Sequence, residues 1–146
     1  MTDNDRATCT ALAGLLRAAA LLALWGFSLT CIAALVLALS LRSLPARTTI
    51  GFGAVAILGT LERYFAFRLR FDAALFDGLA TNTIASLDAL DRALSALGLR
   101  EPPPEPTARA LADRVRGTQQ LIQRHAIVVV CQSALFVLAL LTLGFA

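Results

Sequence analysis

The stretch that decides the fold is Ala18–Leu41, AAALLALWGFSLTCIAALVLALSL, 24 residues without a charge. At 1.5 Å per residue a helix of that length crosses about 30 Å of hydrocarbon with some to spare. It is too long for the apolar core of a secretory signal, and no small-x-small cleavage site follows it, so it reads as a retained transmembrane helix. It ends at Arg42-Ser-Leu-Pro-Ala-Arg47, where Pro45 cannot continue a helix and restricts Leu44. So short a connection makes the next apolar run an antiparallel neighbour.

That run, Thr48–Leu61, has 14 uncharged residues before Glu62 and Arg63. Aromatic residues continue it through Tyr64, Phe65 and Phe67, and an interfacial aromatic end extends the span to 48–67. Arg63 is then expected to snorkel to the headgroups, which leaves Glu62 as the one acidic group drawn towards the bilayer. A third uncharged run, Ala126–Ala146, has 21 residues.

The rest of the composition agrees. Of 146 residues, 58% are apolar and 16% charged, with 28 alanines and 29 leucines, and mean hydropathy is +0.71. Disorder, a disulfide scaffold and an ordinary soluble α/β domain are excluded at this level. The expected fold is all-α: an integral membrane protein with three transmembrane helices and a cytoplasmic antiparallel helical hairpin between the second and third. Its parts are a cytoplasmic N-terminal segment (1–17), helix 1 (18–41), an external loop (42–47), helix 2 (48–67), a cytoplasmic region (68–125) and helix 3 (126–146).

All 13 positive side chains are arginines, giving a net charge of +3. Nine lie between Glu62 and His125, and two in the loop between spans one and two. The positive-inside rule therefore predicts a cytoplasmic N-terminus and an external C-terminus, in a prokaryotic inner membrane. Arg6 and Arg17 agree, and the Arg42/Arg47 pair opposes. No run of like charges suggests nucleic-acid binding.

In the cytoplasmic region Leu87, Leu90, Leu94 and Leu97 step by three and four and stop at Gly98, a C′ glycine. A proline-rich tip follows at 101–106, after which Thr107 can cap a helix carrying Leu111, Val115, Thr118 and Ile122. The two stripes are expected to zip together. The outgoing arm is longer than the return arm by about 18 Å of helix, so it either bends near Asp77-Gly78 and Thr81-Asn82-Thr83 or sits deeper than its charges suggest.

Residues 64–77 carry two apolar stripes, Tyr64/Phe67/Phe71/Leu75 and Phe65/Leu69/Phe76. Charged pairs lie in the seams, Arg68 with Asp72 and Arg70 with Asp77. Such a helix needs two neighbours; a partner subunit, a second copy or lipid headgroups are the expected second contact. The favoured account is a paired, interfacial anchoring helix that docks a partner. The competing account is a buried network of Glu62, Arg68, Asp72 and His125 for protons or ions. His125 is expected at the interface beside Arg124, and Gln132 with Ser133 is expected to bond across helix contacts or to its own backbone. Gly51, Val55 and Gly59 share a face suited to close approach, most simply by span one.

The cysteines, Cys9, Cys31 and Cys131, have no metal-ligand spacing, and His125 is the single histidine. No metal, cofactor, disulfide or catalytic arrangement is expected. The function this implies is non-enzymatic: an assembly, scaffold or accessory subunit in the lipid bilayer, as a homo-oligomer or with other membrane subunits. The alternative is an oligomeric pore or proton-conducting element, of which a holin-like protein is one variant. Glu62, Arg68, Arg70, Asp72, Asp77, His125 and Gln132 are the candidate polar or docking residues.

Overall fold

In a computed structural model, which describes residues 2–40, 44–98 and 111–144, the chain folds into four helices among those residues. They are α1 (Asp3–Ser40), α2 (Ala46–Ala80), α3 (Leu87–Ala96) and α4 (Leu111–Gly144). Three of them, α1, α2 and α4, are long and apolar enough to cross a membrane. They pack on one another along most of their length, with α2 against both α1 and α4.

The N-terminal segment is helix from residue 3, continuous with the first apolar run. Thr2 and Asp5 start it by reciprocal bonds: the Thr2 N–H donates to Asp5 Oδ2 (2.8 Å) and the Asp5 N–H to Thr2 Oγ1 (3.2 Å). This is the geometry of a capping box. Pro45 stands just before α2, at φ −58° and ψ 146°, as a proline that cannot donate suits a helix start.

The helices are held by heptad spacing. On α2 the buried positions are Thr48, Phe52, Val55, Gly59, Glu62, Ala66, Leu69, Phe76 and Leu79, which step by three and four, with one step of seven from Leu69 to Phe76, and return every seven. On α1 Cys9, Leu12, Leu16, Ala19, Ala23, Gly26 and Ala33 repeat the pattern. On α4 Thr118, His125, Gln132 and Ala139 fall seven apart. Two apolar cores lie along the bundle. One joins Cys9, Leu12 and Leu16 to Leu69, Phe76, Leu79 and Leu90; the other joins Leu29 and Ala33 to Phe52, Val55 and Ala139. A polar layer separates them.

The second neighbour of residues 64–77 is thus α1 of the same chain: Leu69 and Phe76 bury against its first four turns, while Tyr64 and Phe67 are exposed. The length excess of the outgoing arm is taken up without a bend at Asp77-Gly78. α2 runs unbroken to Ala80 and stops at a turn in which Asn82 adopts φ 59°. Ile84 folds back there, its N–H donating to the Gly78 carbonyl (2.9 Å). A Cβ at Gly78 would lie 2.8 Å from Ile84 Cδ1, so the end of that side chain packs directly over the glycine. Ser86 caps α3 by accepting from the Ala89 N–H (3.1 Å), and Gly98 ends it at φ 67°. The 101–106 tip and Thr107 lie outside the described residues.

Candidate functional site

The polar layer forms where α1, α2 and α4 meet. Glu62 has no exposed surface, nor have His125 and Gln132. Heptad phase puts them there: Glu62 continues the Val55–Gly59 face of α2, and His125 and Gln132 occupy successive core turns of α4. As the Nε2–H tautomer, His125 donates to Glu62 Oε1 (3.1 Å). The other carboxylate oxygen accepts from Arg63 Nε (2.7 Å) and lies 2.6 Å from its Nη2. The Arg63 guanidinium also donates to the Ala23 carbonyl and lies 4.7 Å from the centre of the Phe27 ring. A buried carboxylate requires this kind of pairing on both oxygens, because leaving either one bare costs more than the bond is worth.

These positions refine three expectations. Arg63 folds onto Glu62. His125 is enclosed in the bundle, next to exposed Arg124. Glu62 and His125 do meet, while Arg68 and Asp72 line a different cavity.

Gln132 forms the next layer. Its amide nitrogen donates to the Gly26 carbonyl (3.0 Å) and to Thr30 Oγ1 (2.9 Å), and the Val55 carbonyl stands 3.5 Å away. Reversing the amide would set its oxygen against two carbonyls, so these acceptors fix its orientation. Two glycines make the approach possible. A Cβ on Gly26 would lie 2.9 Å from Glu62 Cγ and 3.2 Å from Gln132 Oε1, and one on Gly59 would lie 2.0 Å from Thr30 Oγ1. The shared face of span two serves both neighbours, since a Cβ at Gly51 would meet Ala139 of α4 at 2.9 Å. Two buried atoms of the layer have no hydrogen-bond partner, His125 Nδ1 and Gln132 Oε1.

Past Gln132 the core is apolar. Leu29, Ala33, Phe52, Val55 and Ala139 fill it, up to a single Thr48–Thr142 hydroxyl contact at 3.2 Å.

The remaining candidates lie towards the other end. Arg68 and Asp72 line a cavity of about 400 Å³ between α2, α3 and α4, with Phe71, Leu90, Leu94 and Leu121 among its walls. Thr118 Oγ1 donates to Asp72 Oδ2 at 3.4 Å. Asp72 lies beyond the apolar part of α2; burial raises its carboxyl above the usual range, while Arg68 and the Thr118 bond pull the other way. Asp77 pairs with Arg17 of α1 (2.7 Å) and not with Arg70, which instead lines a small cavity beside His125. Arg114 and Asp91 tie α4 to α3. Among the described residues no three His, Cys, Asp or Glu side chains gather as a metal would need, and all three cysteines are free.

The sequence reading passed over Gly26, Thr30 and Arg63 as members of the site. The seven-residue return of Thr118, His125, Gln132 and Ala139 was the signal that would have placed His125 inside. Comparison with family models, curated proteins and solved structures finds no match.

Proposed function

We propose that the chain is a non-enzymatic, multi-pass membrane protein, a proton-responsive subunit whose working part is the Glu62–His125 pair. The observation that carries this is an ionisable pair in direct contact, both partners fully enclosed. Ionisable groups at membrane depth are costly and mark functional positions by default. On α1 the layer at Gly26 lies eight residues inside the uncharged run, about 12 Å. On α4 it lies at the start of that run, beside exposed Arg124. It therefore belongs to the inner shoulder of the apolar zone.

Imidazole can carry its proton on either ring nitrogen. A proton taken at Nδ1, with the Nε2 proton passed to Glu62 Oε1, leaves a neutral acid beside a neutral ring of the opposite tautomer. Arg63 then loses its counter-charge and is released towards the headgroups. Proton uptake thus becomes movement of a cation on α2 and a change at the α1–α2 contact. The apolar layer beyond Gln132 argues against conduction through a single bundle.

Trp25, the single tryptophan, adjoins Gly26 and donates from its indole N–H to Ser133 (3.0 Å), so it reports on this layer. In lipid vesicles its emission is expected to change with pH, and to stop doing so in Glu62→Gln and His125→Gln. A response that survives both substitutions would remove the pair from the function.

The accessory-subunit side of the proposal draws on the amphipathic cavity between α2, α3 and α4, which gives a partner both apolar walls and charges. Leu94→Glu is expected to dissolve a larger assembly seen in mild detergent; a wild-type protein that is strictly monomeric there would end this part. The arginine distribution supports a cytoplasmic N-terminus and external C-terminus in an inner membrane, which a reporter fused after Ala146 tests.

A further inference from the structure

We propose that the Glu62–His125 pair exchanges its proton through a one-water port at His125, opening towards Arg70. This rests on the proton-responsive reading and names its route. A cavity of about 10 Å³, the size that holds a single water, lies between α1, α2 and α4. Its walls are Leu16, Ala19, Ala20 and Ala23 of α1, Ala66, Leu69 and Arg70 of α2, and His125.

His125 brings to that wall a ring whose Nε2 is committed to Glu62 and whose Nδ1 is buried without a partner. An unpartnered buried ring nitrogen is costly, and one water supplies what it lacks. The groups that face the ring are few: Glu62 at Nε2, Arg63 through Glu62, and Arg70 across the cavity, while α1 offers only the leucine and alanines named above. Arg70 is exposed, so the cavity sits between the ring and the arginine-rich surface.

The opposite direction is closed by two features. Gln132 spends its amide protons on Gly26 and Thr30, and behind it lies the apolar core of Leu29, Ala33, Phe52, Val55 and Ala139. A hydronium at the port gives its proton to Nδ1, its O–H bond breaking as the N–H forms and water remaining, while the Nε2 proton passes to Glu62 Oε1; release reverses both transfers and needs no co-reactant.

The test uses the full chain in lipid vesicles with ¹⁵N-labelled histidine, where a single histidine gives one unambiguous pair of ring signals. The rate at which Nδ1 gains and loses a proton, read from ¹⁵N relaxation dispersion of its ring signal, is measured for the wild type, Ala20→Leu and Arg70→Leu, which respectively fill the port from α1 and remove its polar mouth on α2. Slowing by about tenfold in either variant, with ring shifts unchanged, supports the port. It also limits any second route, since a path of equal speed would hold the loss to twofold. No slowing in both variants, or slowing only where His125 is displaced from Glu62 in both, overturns it. The outcome is separate from the parent reading: a Trp25 pH response abolished by Glu62→Gln stands even if exchange ignores the port.

Discussion

Gly26 stands so close to Glu62 that a Cβ on the glycine would lie 2.9 Å from the glutamate Cγ. The carboxylate cannot retreat, because His125 holds one oxygen and Arg63 the other. Gly26→Ala is therefore expected to lower stability by about 1–3 kcal/mol, the usual cost of overpacking. Gly59→Ala should cost more, since its Cβ would meet Thr30 Oγ1 at 2.0 Å. Adding Thr30→Ala should recover part of the second loss and none of the first. Unfolding in mixed micelles measures all three, and full tolerance of Gly26→Ala would mean that Glu62 is free to move.

Removing the carboxylate is a different experiment. Glu62→Ala leaves His125 and Arg63 without their shared acceptor, and breaking a buried pair from one side costs about 3–5 kcal/mol. Glu62→Gln keeps the volume and an acceptor for His125, so its loss is expected to be clearly smaller. Equal losses from the two substitutions would show that packing, not charge, is what Glu62 supplies.

How far this site could be read from the chain depended on which regularity was followed. The three apolar runs, the stop at Gly98 and the small-residue face of Val55 and Gly59 follow from local chemistry, and the structure bears them out as helices and contacts. Charge counting draws Glu62 towards the bilayer but leaves its partners unnamed, because it treats Arg63 and His125 as side chains that turn to the headgroups. Three such groups can satisfy one another instead, and only heptad phase says which way they face. The N-terminal segment carries a regularity of its own. Its polar residues hide a Cys9–Leu12–Leu16 stripe in register with α2, and burying that stripe settles Leu69 and Phe76 within the chain.

Asp72 gives a prediction with a definite sign. Burial raises its carboxyl above the ordinary range, so the folded protein holds the proton more tightly than the unfolded chain. The stability this contributes is full at acid pH, below the ordinary carboxylate range. It is lost as pH rises through the raised value. Asp72→Asn, which keeps the Thr118 partner, is expected to be more stable than wild type at neutral pH and to flatten that decline. A wild-type stability that climbs from acid to neutral pH with no contribution from Asp72 would reverse the sign.

Two ion pairs outside the apolar zone test how much burial decides. Arg17 and Asp77 meet at 2.7 Å with side chains 67% and 45% exposed, whereas those of Arg114 and Asp91 are each 13% exposed. Exposed pairs are worth about 0–1 kcal/mol and weaken with salt. Breaking an enclosed pair from one side costs about 3–5 kcal/mol, and Arg114 is what ties α4 to Asp91 of α3. Arg17→Ala should thus be nearly silent, and Arg114→Ala should loosen α3 from the bundle, exposing the amides of 87–96 to hydrogen exchange while α1 stays protected. If Arg114→Ala leaves exchange in α3 unchanged, the apolar contact of Leu90 holds that helix by itself.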